Sequence, residues 1–312
     1  MATFDITGIA HDLRAARLAW RETQSPVSEP GGREFPSRDA VSLIVEALKG
    51  VLFPMRLGPP DLRQESEDYH VAHALDGALH ALLKQVVREL KYDAARRGPG
   101  GAAIDAAAID AAAVAAVRAF AAALPAIRRL LDSDVLAAYQ GDPAARSVDE
   151  VLLCYPGVLA MIHYRLAHQL YVLELPLLAR IVAELAHGAT GIDIHPGATI
   201  GSGFFIDHGT GVVIGETAVI GERVRLYQAV TLGAKRFPSD ADGTLQKGLP
   251  RHPVVEDDVV IYAGATILGR ITLGKGAVIG GNVWLTHDVP AGGRIAQAES
   301  RSGTSANGIG GA

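Results

Sequence analysis

Apolar residues recur at six-residue steps through the region that ends at Val289. Neither the 3.6-residue period of a helix nor the two-residue alternation of a strand produces such a row. A six-residue repeat is typical of a parallel β-helix, in which short strands stack coil on coil. The pattern therefore predicts a β-helix over residues 189–290. The regular positions are Ile194, Ile200, Ile206, Ile214, Ile220, Leu226, Leu232, Val255, Ile261, Ile267, Leu273, Ile279 and Leu285.

Residues 1–188 lack this repeat and are predicted to form an α-helical N-terminal domain. The expected helices span residues 8–23, 38–56, 62–96, 102–131 and 148–187, the last being interrupted near Pro156 and Pro176. The predicted fold class is therefore α + β, with a helical domain followed by a parallel β-helix. Residues 291–312 are small and polar without any period, which predicts a flexible tail.

The composition fits a soluble protein, with 49% hydrophobic residues and a formal charge of −5. This acidic balance argues against nucleic acid or an anionic membrane surface as the main partner. Charged residues interrupt the longest apolar region, about 151–186, so a membrane span is not expected. The single cysteine, Cys154, fits a reducing compartment and is expected to be buried among apolar neighbours. These features favour a cytoplasmic protein.

The first interruption of the repeat is a step of eight residues between Ile206 and Ile214. The extra residues must bulge out of a coil, and they carry Asp207 and His208. Asp193 lies about one coil earlier, so stacking could place its carboxylate beside the His208 imidazole. A carboxylate that orients one ring nitrogen lets the other nitrogen act as a general base near neutral pH. The bulge is therefore a candidate site.

The second interruption is a gap of 23 residues between Leu232 and Val255. Most of this gap is too polar to be buried, which predicts an inserted surface arm at about 233–252. Arg251 and His252 lie at the end of the arm. We expect them to provide charge complements for a polar substrate.

Two long motifs and a short one resemble a known family. The strings are DIHPGATIGSGFFIDHGTGVVIGETAVIGERVRLYQAVTLG, PRHPVVEDDVVIYAGATILG and GDPAA. Over about residues 140–290 they resemble serine O-acetyltransferase of the left-handed β-helix acyltransferases. The resemblance implies a left-handed coil, an exception to the usual right-handed crossover. It also implies direct acetyl transfer from acetyl-CoA, the co-substrate, to the hydroxyl of L-serine, giving O-acetylserine for cysteine biosynthesis.

The same resemblance assigns roles to individual positions. His208 matches the general base, and Asp193 matches its carboxylate partner. The resemblance implies that Arg251, the arginine of the RHP string, binds the substrate carboxylate. A planar guanidinium with paired donors suits that group. The other matched positions bind substrate or the CoA arm: Asp142 and Asp207 for the ammonium group, Arg251 and His252 for the carboxylate and the reacting centre, Gly233 and Ala263 for the groove that holds the CoA arm.

The resemblance further implies a homo-oligomer, either a trimer or a dimer of trimers, with active sites between neighbouring subunits. Family members that dock into O-acetylserine sulfhydrylase insert a C-terminal isoleucine. This chain ends GIGGA, with Ile309 three residues short of the end, which argues against stable docking of that kind.

Other interpretations remain open. A hexapeptide acyltransferase for homoserine, an amino sugar or another hydroxyl would share the scaffold, although paired carboxylates and an arginine favour an amino acid. A non-catalytic scaffold that only binds a partner enzyme would not need an intact histidine–carboxylate pair. A γ-class carbonic anhydrase needs three zinc-binding histidines, and none is expected here because the candidates are scattered. Those candidates are His195, His208, His252 and His287.

Overall fold

The computed structural model describes residues 4–24, 35–96, 106–236, 240, 243–246 and 248–297. Helices occupy the N-terminal part of this range and strands the C-terminal part. The α-helices are α1 (Ile6–Gln24), α2 (Arg38–Leu52), α3 (Pro54–Leu57), α4 (Glu67–Arg96), α5 (Ala106–Gly141), α6 (Val148–Cys154), α7 (Pro156–Val172) and α8 (Pro176–Thr190).

Proline begins three of the described helices. Pro54, Pro156 and Pro176 occupy the first positions of α3, α7 and α8, where a missing N–H costs nothing. The helix expected to end at residue 131 instead continues to Gly141. The sequence DSD in this stretch suggests a turn, but Asp134 is buried and paired with Arg165 of α7. This tertiary contact outweighs the local preference.

The strands form three parallel sheets that wind into a β-helix. One sheet has the order β1-β4-β7-β10-β13, the second β11-β8-β5-β2 and the third β14-β12-β9-β6-β3. Every regular apolar position of the repeat lies in one of the strands β1 to β13 and is buried. The strands are β1 (Asp193–Ile194), β2 (Thr199–Ile200), β3 (Phe205–Ile206), β4 (Val213–Ile214), β5 (Val219–Ile220), β6 (Arg225–Leu226), β7 (Thr231–Gly233), β8 (Val254–Val255), β9 (Val260–Ile261), β10 (Thr266–Leu268), β11 (Thr272–Leu273), β12 (Val278–Ile279), β13 (Trp284–Leu285) and β14 (Arg294–Ile295).

The fold class predicted from the sequence is confirmed: a helical N-terminal region precedes a repeated parallel coil consistent with a left-handed β-helix. The last helix ends at Thr190, followed by Gly191 at a positive φ of 69°, and the first strand begins at Asp193. The coil also reaches into the stretch expected to be a tail, because β14 pairs with β12. Residues 298–312, which include Ile309, lie outside the described residues.

A buried ion pair fixes the helices to the coil just before β3. Arg165 donates from Nε and Nη2 to Asp134, at 2.6 and 2.8 Å, and also to the backbone oxygens of Ile200 and Gly201. The Asp134 carboxylate accepts the N–H of Phe204 at 2.9 Å. A buried pair is tolerated when further hydrogen bonds satisfy both groups, as they do here. The pair thereby holds the turn that leads into the bulge.

Cys154 and helix α5 differ from what the composition predicts. Cys154 is exposed rather than buried: it is the last residue of the short helix α6, in which Val151 is the buried residue. Among the described residues, α5 is long and apolar enough to cross a membrane by length and composition alone. Only 22% of its apolar stretch is buried, and α5 packs against α4 and α7. The absence of a membrane partner stays a prediction.

Candidate active site

The bulge between β3 and β4 presents His208 to solvent. His208 has a positive φ of 59°, and the N–H of Gly209 donates to the carbonyl of Asp207 at 2.8 Å, which closes a tight turn around the histidine. Gly209 has a φ of 89°, and a Cβ there would lie 2.4 Å from Ile192, so the turn requires glycine. Such unusual backbone conformations concentrate at functional sites.

Asp207 connects His208 to a neighbouring coil. Its Oδ1 lies 3.8 Å from His208 Nδ1, while its Oδ2 accepts a 2.6 Å bond from Arg225 of β6. The carboxylate is nearly buried, whereas the His208 side chain is 72% exposed. A solvent-facing imidazole beside a fixed carboxylate can take up a proton and have its charge stabilised.

Asp142 reaches the same corner from the end of α5. It accepts hydrogen bonds from the Tyr155 hydroxyl at 2.5 Å and from the Ala144 N–H at 2.8 Å. The hydrogen bond from Tyr155 lowers the pKa of Asp142 most, the Ala144 bond adds to it, and the nearby charge of His208 contributes. Asp142 is therefore ionised at neutral pH and can hold an ammonium group.

Asp193 does not contact His208, contrary to the contact expected from coil stacking. Among the described residues, neither a hydrogen bond nor an ion pair joins the two side chains. Asp193 begins β1 and pairs in register with Val213, beyond the bulge, so the bulge carries the histidine away from it. The role of Asp193 as partner of the base stays a prediction.

Asp193 instead approaches Glu184 and His187 of α8. One ligand atom from each of these three side chains lies within 4.8 Å of the others, a spacing that could hold a metal ion. The Arg180 guanidinium already donates to Glu184 at 2.5 Å, so a cation there would compete with an existing positive charge. The expected absence of a metal stays a prediction.

A second polar cluster surrounds the turn between β4 and β5. Arg251 donates to Glu216 at 2.5 Å, and the Tyr171 hydroxyl donates to the other oxygen of that carboxylate at 3.2 Å. Burial alone would raise the pKa of Glu216, but the hydrogen bond and charge of Arg251 bring it below its ordinary value. The guanidinium is thereby fixed beside a shallow cavity of about 310 Å³ that Tyr171, Glu216 and Thr217 help to line.

His252 packs directly on the glycine that precedes this carboxylate. A Cβ on Gly215 would lie 2.0 Å from the imidazole, so only glycine leaves room for the ring. His252 Nδ1 accepts the N–H of Thr217 at 3.0 Å, which places the hydrogen of the neutral ring on Nε2. Burial and then the charge of Arg251 lower the pKa of His252 to about 4. His252 is therefore a neutral hydrogen-bond donor at neutral pH.

The predicted residues form two groups in the sheet that contains β1 and β4. One group lies at the amino ends of its strands and the other at their carboxyl ends. Asp142, Asp207 and His208 lie where the chain enters β4, and Arg251 and His252 lie against the turn where it leaves. The positions matched to the CoA groove divide in the same way. Ala263 lies in the turn before β10 and Gly233 at the end of β7, and both of these strands belong to that sheet.

Sequence reasoning missed three residues that hold these groups in place: Arg225, Glu216 and Tyr155. Arg225 stacks on Phe205 in the neighbouring coil, so matching of equivalent positions would not have paired it with Asp207. Glu216 could not be paired with Arg251 from spacing, because the arm of unknown path lies between them. Tyr155 comes from the helical region, which has no repeat.

Comparisons with known proteins agree with this architecture. Residues 252–287 match the bacterial transferase hexapeptide family model, described as six repeats. A plasmid-encoded serine acetyltransferase of Synechococcus elongatus is 60% identical over 267 residues, which cover 86% of this chain and 83% of the relative.

Solved structures show the same likeness. Serine acetyltransferase 1 of Entamoeba histolytica, in complex with L-cysteine, has a TM-score of 0.70 and 36% identity, covering 92% of this chain and 96% of that one. Soybean serine acetyltransferase complexed with serine has a TM-score of 0.52 and 28% identity, covering 84% and 98%. With a relative of this identity spanning most of both sequences, the chain belongs to the serine acetyltransferase family.

Proposed function

We propose that this chain transfers an acetyl group from acetyl-CoA to the hydroxyl of L-serine, producing O-acetylserine for cysteine biosynthesis. The observation that carries the proposal is the corner at which exposed His208 lies beside two fixed carboxylates, Asp142 and Asp207. Paired carboxylates suit an ammonium group, and a hydroxyl nucleophile needs a base close by.

The reaction is a direct transfer in which His208 handles one proton. The imidazole removes the proton from the serine hydroxyl while the oxygen attacks the thioester carbonyl carbon. The C–S bond then breaks, and the imidazolium returns the proton to the CoA thiolate, so free CoA leaves and the base is restored. Asp207 stabilises the transient imidazolium, since its carboxylate oxygen lies 3.8 Å from Nδ1.

The second cluster is proposed to bind the carboxylate of the substrate. Arg251 presents a guanidinium held by Glu216, and His252 offers its Nε2–H as a neutral donor to the carboxylate or to the oxyanion that forms during attack. The two clusters lie at opposite ends of one sheet. We therefore propose that a complete site forms between two subunits of a homo-oligomer, as in a trimer.

Acetyl-CoA is proposed to lie along the outward side of the sheet between these clusters. The residues matched to the CoA groove lie on two adjacent strands of that sheet, with Gly233 at the end of β7 and Ala263 in the turn before β10. Gly233 pairs with Leu268 in the adjacent coil, and a Cβ there would lie 2.9 Å from the Leu268 side chain, so glycine lets the two coils approach closely. We also propose a cytoplasmic location, which fits the single unpaired cysteine.

The first test removes the base. His208→Ala should lower turnover by about two orders of magnitude or more, because proton transfer by a positioned side chain contributes that much. Thiol release from acetyl-CoA in the presence of L-serine measures it, and thermal unfolding checks that the variant is folded. The matched control is His287→Ala, another exposed histidine in a turn of the coil, which should retain wild-type turnover.

A panel of acceptors separates this function from its neighbours. Wild-type protein should release CoA with L-serine far faster than with homoserine or an amino sugar. Near-wild-type transfer by the His208 variant would contradict the assignment of the base. A folded wild-type protein without transfer to any acceptor would instead favour a non-catalytic scaffold.

A further inference from the structure

Arg225 lies between the two carboxylates of the first cluster. It begins β6, and its Cα is in register with that of Phe205 in β3, one coil away. Its side chain is 24% exposed, so the guanidinium sits at the edge of the site rather than in bulk solvent.

The guanidinium bonds to both structural units that carry the carboxylates. Nη2 donates to Asp207 Oδ2 at 2.6 Å, and Nη1 donates to the backbone oxygen of Gly141 at 2.7 Å. Gly141 is the last residue of α5 and immediately precedes Asp142. A planar fork with two parallel donors fixes the relative position of its acceptors, which a lysine cannot do.

Aromatic rings hold the fork itself in place. The guanidinium carbon lies 4.9 Å from the ring centre of Phe205 and 4.6 Å from that of Tyr227. Both distances are within the range of cation–π attraction. The guanidinium therefore has little freedom to turn away from its two acceptors.

The charge of Arg225 reaches the Asp142 carboxylate as well. It contributes to the lowered pKa of Asp142, after the hydrogen bonds from Tyr155 and Ala144. Arg225 therefore acts on both carboxylates, on Asp207 by a hydrogen bond and on Asp142 by its charge.

We propose that Arg225 is a positioning residue for serine recognition, which sets the distance between the Asp142 and Asp207 carboxylates so that both can hold the ammonium group. The inference rests on the proposed function. Because Asp207 uses Oδ2 for Arg225, its Oδ1 stays on the side of His208. Arg225 thus fixes the substrate and the base through one carboxylate, without touching the substrate itself.

The test compares Arg225→Gln and Arg225→Lys with the control Arg223→Gln. Arg223 lies two residues away, is half exposed and pairs with Asp258 and Glu222, so it shares the charge and the local coil but not the site. Arg225→Gln should raise the KM for serine about tenfold or more, since it removes charge-assisted hydrogen bonds. Arg225→Lys should show a smaller rise, and the KM for acetyl-CoA should stay unchanged in both.

A role in stability alone predicts different results. It would lower the melting temperature and the apparent maximal rate while leaving both KM values unchanged, so the serine KM of Arg225→Gln would equal that of the Arg223 control. Chemical rescue provides a further measurement, because a free guanidinium ion can replace the lost group but does not restore general stability. Millimolar guanidinium should lower the serine KM of Arg225→Ala and leave that of the Arg223→Gln control unchanged. An unchanged serine KM in Arg225→Gln overturns the inference, whereas absent transfer by the wild-type protein overturns the proposed function.

Discussion

At the scale of single residues, two histidines of the coil have opposite surroundings. His208 faces solvent on a glycine-dependent turn, where its imidazole is free to exchange a proton with substrate. His252 is buried against Gly215 and accepts a backbone hydrogen bond, so it stays neutral. The same type of side chain is therefore exposed at one end of the sheet, where we propose that it acts as a base, and is held neutral at the other.

The lowered pKa of His252 predicts a loss of stability in acid. Its pKa falls from an ordinary 6.5 to about 4 in the folded protein, so the unfolded chain binds a proton between these values and the folded chain does not. Stability contributed by the neutral ring is thus fully present above pH 6.5 and declines as the pH falls toward 4. Urea unfolding of the wild type and of His252→Asn across this pH range should show a larger loss of unfolding free energy in the wild type.

The comparison with His252→Asn isolates this one group, because all other titrating residues are common to both proteins. His163 and His195 also have lowered pKa values, caused first by burial, and they would steepen both curves equally. If the unfolding free energies of the two proteins fall in parallel as the pH is lowered, His252 does not stay neutral in the folded protein.

At the scale of elements, the sequence predicted the coil better than the helices. The repeat marked the strands because each apolar position fills the same interior column, as Ile194 and Ile214 do in register. Helix α5 extends beyond its expected end because Asp134 pairs with Arg165, which is distant in sequence. No local sequence pattern indicates that pairing. The grouping of Asp142 with Asp207 likewise depends on how a helix end meets the coil, which only the resemblance could supply.

Glu89 of α4 joins two helices in a pH-dependent way. Its carboxylate accepts the N–H groups of Leu177 and Leu178 in the first turn of α8, at 2.7 and 2.9 Å. Burial raises the pKa of Glu89 to about 7, although these hydrogen bonds oppose the rise. Between pH 4.5 and 7 the folded state holds the proton that the unfolded state has released, so this group's contribution to stability falls as the pH rises.

The Glu89→Gln variant tests this sign. The amide cannot ionise, so wild type should lose stability relative to the variant as the pH is raised from 5 to 8. Chemical unfolding at both pH values measures the difference. The control is Glu46→Gln, an exposed carboxylate that pairs with Lys49 on α2 and should show no such trend. An unchanged difference between wild type and Glu89→Gln at the two pH values would contradict a carboxyl that is neutral in the fold.

At the scale of the whole molecule, the candidate site residues of one chain form two clusters. His208 and the carboxylates of Asp142 and Asp207 lie at the entry to β4, and the guanidinium of Arg251 lies beyond its exit. Among the described residues, no hydrogen bond or ion pair joins the two clusters. We propose that a threefold axis brings the entry corner of one subunit beside the exit corner of the next, so that each neighbour pair forms one site.

Complementation between inactive variants tests this assembly. His208→Ala leaves the exit corner intact, and Arg251→Ala leaves the entry corner intact, so each protein alone should transfer acetyl groups poorly. In a mixed trimer, one of the three sites, about one third, should combine two intact corners, because only one of its three neighbour pairs joins the variants in the required order. Co-expression with two different tags, tandem purification and a thiol-release assay at low serine concentration would measure the recovery. Mixed oligomers no more active than either variant would show that both corners of one chain serve the same site.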